Sequence, residues 1–110
     1  MANLEYQILD KTIPESKDPV SRYDILAGSL DGNPEMFEKV NNLEGNEGML
    51  RTYRDISTKA TISLEVLRTT RSEFLWLNIV GDKTKLKPTL KRVKSVVPDI
   101  FDYDFSKEES

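Results

Sequence analysis

Seven consecutive residues, Phe74-Leu75-Trp76-Leu77-Asn78-Ile79-Val80, are apolar on both alternating faces except at Asn78. Successive side chains of a strand point to opposite sides of a sheet, so such a run belongs inside a sheet and needs cover on both faces. One face carries Leu75, Leu77 and Ile79; the other carries Phe74, Trp76 and Val80. The run is far shorter than the roughly 20 residues of a membrane helix, and no other stretch approaches that length. A chain of 110 residues has room for one core and not two.

The rest of the chain offers partners for this strand. Ala60, Ile62, Leu64 and Val66 alternate with Thr61, Ser63 and Glu65, the period of a half-buried strand. Thr69-Thr70-Arg71-Ser72 then reads as a hairpin turn. Leu4–Leu9 is a short strand with Leu4, Tyr6 and Ile8 on one face, followed by a Pro-containing loop over Lys11–Pro19. Tyr23–Leu30 reads as a further strand, stopped by Asp31-Gly32.

Asn33-Pro34-Glu35 has the chemistry of a helix start: a capping amide, a proline where no N–H partner is needed, and an acid at the positive end of the dipole. Met36, Phe37, Val40 and Leu43 supply an apolar stripe, so Asn33–Glu44 is expected to be a helix closed by Gly45. Met49, Leu50, Tyr53 and Ile56 repeat that spacing. A strand over 49–56 would place Arg51 and Asp55 on the same face as Met49 and Tyr53, so a short second helix is favoured. Leu86, Leu90, Val93 and Val97 mark a later helix. Pro88 puts its start near Lys87 or Pro88, and Pro98 ends it. Ile100–Phe105 is a closing strand with Phe101, Tyr103 and Phe105 inward.

Two strand-turn-helix units about 50 residues apart, each leading to a later strand, give a β-α-β, β-α-β plan. The expected architecture is an α+β, ferredoxin-like (split βαβ) two-layer sandwich. Its antiparallel sheet carries helices on one face plus an extra N-terminal strand. Residues 1–105 form the single domain and 106–110 a flexible tail.

Charge is segregated along the chain. Residues 1–50 hold 4 Lys/Arg against 10 Asp/Glu, residues 51–98 hold 11 against 4, and residues 99–110 hold 1 against 5. Six of the basic residues, Lys83, Lys85, Lys87, Lys91, Arg92 and Lys94, crowd onto the stretch that leads into and forms the last expected helix. An acid-free helix face of this kind can neutralise phosphates, with binding that weakens as salt rises. Runs of lysine more often keep a covering helix solvated. No aromatic residue is interleaved with these lysines to stack on bases, and the Gly-aromatic motif of an RRM does not occur.

The chain contains no cysteine and no histidine. That removes disulfides, thiol redox chemistry, Cys/His zinc sites and every nucleophile that depends on an imidazole base. Only oxygen ligands remain for magnesium or calcium. Asp102 and Asp104 share a strand face but read as a solvent edge. Asp31 and Glu35 oppose an anion at the start of the expected 33–44 helix. No Walker or Gly-x-Gly-x-x-Gly pattern occurs. No residue is therefore nominated as catalytic, metal-ligating or cofactor-binding. The N-terminus lacks a signal-peptide pattern, which makes the cytoplasm the default.

The second face of the 74–80 strand remains. Two helices on one side of a sheet cover only one of its faces, so Phe74, Trp76 and Val80 need another cover: either the N-terminal strand or the Lys11–Pro19 loop folded over them, or a partner, since large apolar patches mark interaction sites. The expectation is a non-catalytic interaction or regulatory module acting through that face, with a homodimer or another protein as partner. The alternative is an RNA- or DNA-binding protein using the basic 83–94 helix.

Overall fold

A computed structural model describes residues 2–10, 19–45, 48–68 and 73–109. The expected central strand is β5 in chain order, Glu73–Gly81. It pairs with β4 (Thr61–Arg68) on one side and β1 (Ala2–Asp10) on the other. Beyond them lie β3 (Gly48–Asp55), β2 (Phe37–Gly45) and β6 (Phe101–Glu109). The six strands form one antiparallel sheet in the order β2-β3-β4-β5-β1-β6. Among the described residues there are two helices, α1 (Pro19–Asp31) and α2 (Lys83–Val96).

Alternation along the inner strands decides which face is the core. Leu4, Tyr6 and Ile8 of β1, Ile62, Leu64 and Val66 of β4, and Leu75, Leu77 and Ile79 of β5 are all buried. The register aligns them, with Leu4 opposite Ile79, Ile79 opposite Ile62, and Ile62 opposite Tyr53. Helix α1 packs over β4 and β5, α2 packs over β5 and β1, and the helices touch each other. Both therefore lie on this one face. Their buried residues follow helical spacing: Tyr23, Leu26, Ala27 and Leu30 on α1, and Leu86, Thr89, Leu90 and Val93 on α2.

The class is α+β, as expected, but three elements differ from the sequence reading. Tyr23–Leu30 is not a strand; it lies within α1. Positions 23, 26, 27 and 30 are buried while Asp24, Ile25 and Gly28 are exposed, which is a period of 3.6. Pro19 opens this helix, where its missing N–H costs nothing.

Asn33–Glu44 is not a helix. Asn33 closes α1 rather than starting a new helix: its Nδ2 donates to the Ser29 carbonyl at 2.8 Å. The Met36 and Phe37 amides then turn back onto the Asn33 carbonyl, each at 3.0 Å, and β2 begins. Val40, on the supposed apolar stripe, is 56% exposed, so that spacing was coincidental.

Residues 49–56 are not a helix either; Gly48–Asp55 is β3. A Cβ at Gly48 would run into the Val66 carbonyl oxygen, so only glycine allows β3 to start this close to β4.

Other boundaries move less. Helix α2 starts at Lys83, five residues before Pro88, which sits within its second turn and leaves one i→i−4 bond unmade. β6 runs to Glu109, so 106–109 continue the sheet rather than forming a tail. The N-terminal strand is no addition: it lies inside the sheet between β5 and β6. The sheet accordingly has six strands where a four-stranded unit plus one was expected. The expected 11–18 part of the loop and the 69–72 turn lie outside the described residues, as does the side chain of Phe105. Among the described residues no helix is long and apolar enough to cross a membrane.

Candidate functional site

The face of the sheet opposite the helices carries no covering element among the described residues. Its side chains alternate with the core: Asn3, Glu5, Gln7 and Leu9 on β1, Phe74, Trp76, Asn78 and Val80 on β5, and Thr61, Ser63, Glu65 and Leu67 on β4. The middle of this face is polar, with Asn78 opposite Glu5 on one side and Ser63 on the other. One end is apolar. Leu67 pairs with Phe74, Trp76 follows two residues along β5, and Leu9 is the last residue but one of the neighbouring strand. Leu9, Leu67 and Phe74 are 39%, 42% and 36% exposed, and Trp76 is half-buried. Val80, also expected here, lies at the opposite end of β5, half-buried between Asn3 and Thr61. The structure thus brings Phe74 and Trp76 together, adds Leu9 and Leu67, and separates Val80 from them.

Both edges of the sheet discourage strand addition. β6 presents the exposed carboxylates Asp102 and Asp104, and β2 carries a register break between Lys39 and Asn41 beside exposed Glu38. Charges and bulges are the usual ways to blunt an edge.

The basic stretch divides into two groups. Lys83, Lys85, Lys87, Lys91 and Lys94 are exposed on α2. Four of them, Lys83, Lys87, Lys91 and Lys94, recur along one flank, a row about 16 Å long at 1.5 Å per residue. The Lys94 ammonium sits 4.6 Å from the centre of the Tyr103 ring. Arg92 does not belong to this surface. Its Nε donates to Asp55 Oδ2 at 2.8 Å, and its guanidinium lies 6.0 Å from the Phe37 ring centre.

Asp55 is fully buried and holds the β3–β4 connection together. Its Oδ1 accepts from the Ser57 and Thr58 amides at 2.8 and 3.3 Å. Thr58 in turn shares a 2.6 Å hydrogen bond with Thr89 of α2, which also donates to the Lys85 carbonyl. A second polar group joins β3 to α1. Asp31 accepts from Arg51 Nη1 at 2.9 Å and from the Tyr53 hydroxyl at 2.8 Å. Burial, and then the hydrogen bond to Asp31, pushes the Tyr53 phenol far above its usual range, so it stays a donor. Sequence reasoning missed both groups, and both fasten helices to the sheet rather than face a cavity.

A cleft of about 260 Å³ opens between the end of α2 and β6, lined by Lys94, Val97, Pro98, Asp99, Phe101, Asp102 and Tyr103. Burial, helped by the nearby Asp99 charge, pushes the Tyr103 phenol up to about 12. Among the described residues no group of three or more metal-ligating side chains comes together. Asp102 and Asp104 stand on the open face of the edge strand, opposite Leu9 and Gln7. No protein-family model, curated protein or solved structure matches this chain.

Proposed function

We propose that this chain is a non-catalytic interaction module that binds a protein partner through the open face of its sheet, with Phe74 and Trp76 central to the contact. The observation that carries this reading is the cluster of Leu9, Leu67, Phe74 and Trp76 at one end of a face whose middle is polar and which no element among the described residues covers. The size of the face supports it. Six strands about 4.8 Å apart span ~24 Å, and strands of eight or nine residues run ~27–30 Å. The resulting area of roughly 700 Å² approaches the ~800 Å² per partner of a standard protein interface. Covering the 36% of Phe74 that is exposed, out of the roughly 150–250 Å² of an aromatic side chain, contributes about 1–2 kcal/mol at about 25 cal/mol per Å². The finer topology belongs to the same proposal: β4-β5-β1-β6 with both helices reads as a split βαβ unit widened by the β2–β3 hairpin.

A second reading rests on the lysine row of α2, which carries no intervening acid and would take a polyanion such as RNA or DNA. Arg92 is withdrawn from it, being held by Asp55.

Affinity capture from extracts of the source cells, with three forms of the protein, tests the proposal. A protein retained by the wild type should be lost with Phe74→Ser/Trp76→Ser and kept with Lys87→Glu/Lys91→Glu/Lys94→Glu. Retention of every partner by the first variant, with its fold intact by circular dichroism, would refute the reading.

A further inference from the structure

The chemistry of the occupant follows from the charges around the apolar end, an argument that rests on the open face being the binding surface. Among the described residues that face carries the carboxylates Glu5, Glu38, Glu65, Asp102 and Asp104 against one cation, Arg54. The acids bracket the anchor. Along one row the cross-strand order is Asp104, Gln7, Trp76, Glu65, and Asp102 stands opposite Leu9. With strands about 4.8 Å apart, Trp76 has a carboxylate one strand away on one side and two strands away on the other. The exposed lysines of α2 lie on the other side of the sheet. Charges segregated along the sequence are thus segregated across the sheet, basic on α2 and acidic on the open face.

We infer that the open face takes a basic protein segment with an aromatic or long aliphatic anchor. The anchor packs among Leu9, Leu67, Phe74 and Trp76, while flanking Lys or Arg side chains meet Asp102 and Asp104 on one side and Glu65 on the other. A second copy laid face to face would set one acidic face against another, and a nucleic acid would bring phosphates to carboxylates. Like charges across an interface repel both. Asp102 and Asp104 are exposed on an edge strand.

Selection of displayed random peptides against the wild type and three variants tests this, with circular dichroism confirming each fold. The variants are Glu65→Lys/Asp104→Lys, Phe74→Ser/Trp76→Ser and Lys87→Glu/Lys91→Glu. Asp104→Lys alone, at an exposed position, covers the case in which the first pair misfolds. Enriched sequences lacking tryptophan are then titrated while the emission of Trp76, the only tryptophan, is followed. The expected peptides carry Lys or Arg around Phe or Leu and shift that emission. They lose at least tenfold in affinity on charge reversal, and weaken as salt rises from about 0.05 M to about 0.5 M. The α2 variant should bind them unchanged.

Failure to enrich any peptide, or enrichment of acidic ones, overturns the inference. Peptides with no charge bias that still require Phe74 and Trp76 overturn it while leaving the face as the binding surface; peptides indifferent to Phe74 and Trp76 overturn both. Self-association lost in Phe74→Ser/Trp76→Ser makes a second copy the occupant and overturns it as well.

Discussion

Replacing Asp55 by alanine should cost about 3 kcal/mol of stability without touching any exposed surface. The carboxylate is fully buried and accepts three hydrogen bonds, from Ser57, Thr58 and Arg92. Bonds to a charged group contribute about 1.5–3 kcal/mol each, and the 3.3 Å bond from Thr58 belongs at or below the low end. Breaking a buried pair costs about 3–5 kcal/mol when the abandoned charge stays buried. Arg92 is 31% exposed and can recover water, which lowers the figure to about 3 kcal/mol. For a domain of this size, unfolding entropy of about 2.1 cal/mol/K per residue converts that loss to a fall of roughly 13 °C in Tm. Urea unfolding followed by circular dichroism reads it directly, with an unchanged slope against denaturant. Asp55→Asn, which keeps an acceptor for the two amides, should lose less. A cost below about 1 kcal/mol for Asp55→Ala would refute the idea that this carboxylate fastens α2 to the β3–β4 connection.

Three other outcomes are expected. Pro88→Ala should stabilise the protein by about 1–2 kcal/mol by restoring a helix hydrogen bond at an exposed position, and a lower denaturation midpoint would contradict the α2 geometry. Because the folded pKa of Tyr103 is raised to about 12 from 10.0, its contribution to stability is complete below pH 10 and lost as pH rises through 12. Tyr103→Phe should therefore flatten stability over that window, and an absorbance titration of the variant should lack a phenol ionising near 12. Lys87→Glu/Lys91→Glu/Lys94→Glu should stay folded; if the native protein binds an RNA or DNA oligonucleotide at low salt and the variant does not, the polyanion reading replaces the one proposed above.

Much of the sheet was legible because its inner strands alternate or are wholly apolar: Leu4–Leu9, Ala60–Val66 and Phe74–Val80 all emerged as strands. So did α2, whose stripe survives a proline that occupies an exposed position near the helix start. The failures have two causes. Arg51 and Asp55 made β3 look implausible as a strand because they share its core face with Tyr53. Their partners, Asp31 on α1 and Arg92 on α2, are 20 and 37 residues away, and no local pattern announces them. Asn33 and Pro34 suggest a helix start because the same chemistry that caps an N-terminus also builds the turn closing α1. The candidate face was half legible: alternation placed Phe74 and Trp76 together, while the contribution of Leu9 and Leu67, and the ring of acids, required the strand order.

Binding through the open sheet requires that the Trp76 face be accessible in the isolated protein. Acrylamide quenching of tryptophan emission, measured on dilute monomer verified by sedimentation, tests this directly. The structure predicts ready quenching, and protection with a blue shift of the emission once a partner binds. Blue-shifted emission resistant to acrylamide in the free monomer would mean that the chain covers this face itself, and would contradict the assignment of the open sheet as the binding surface.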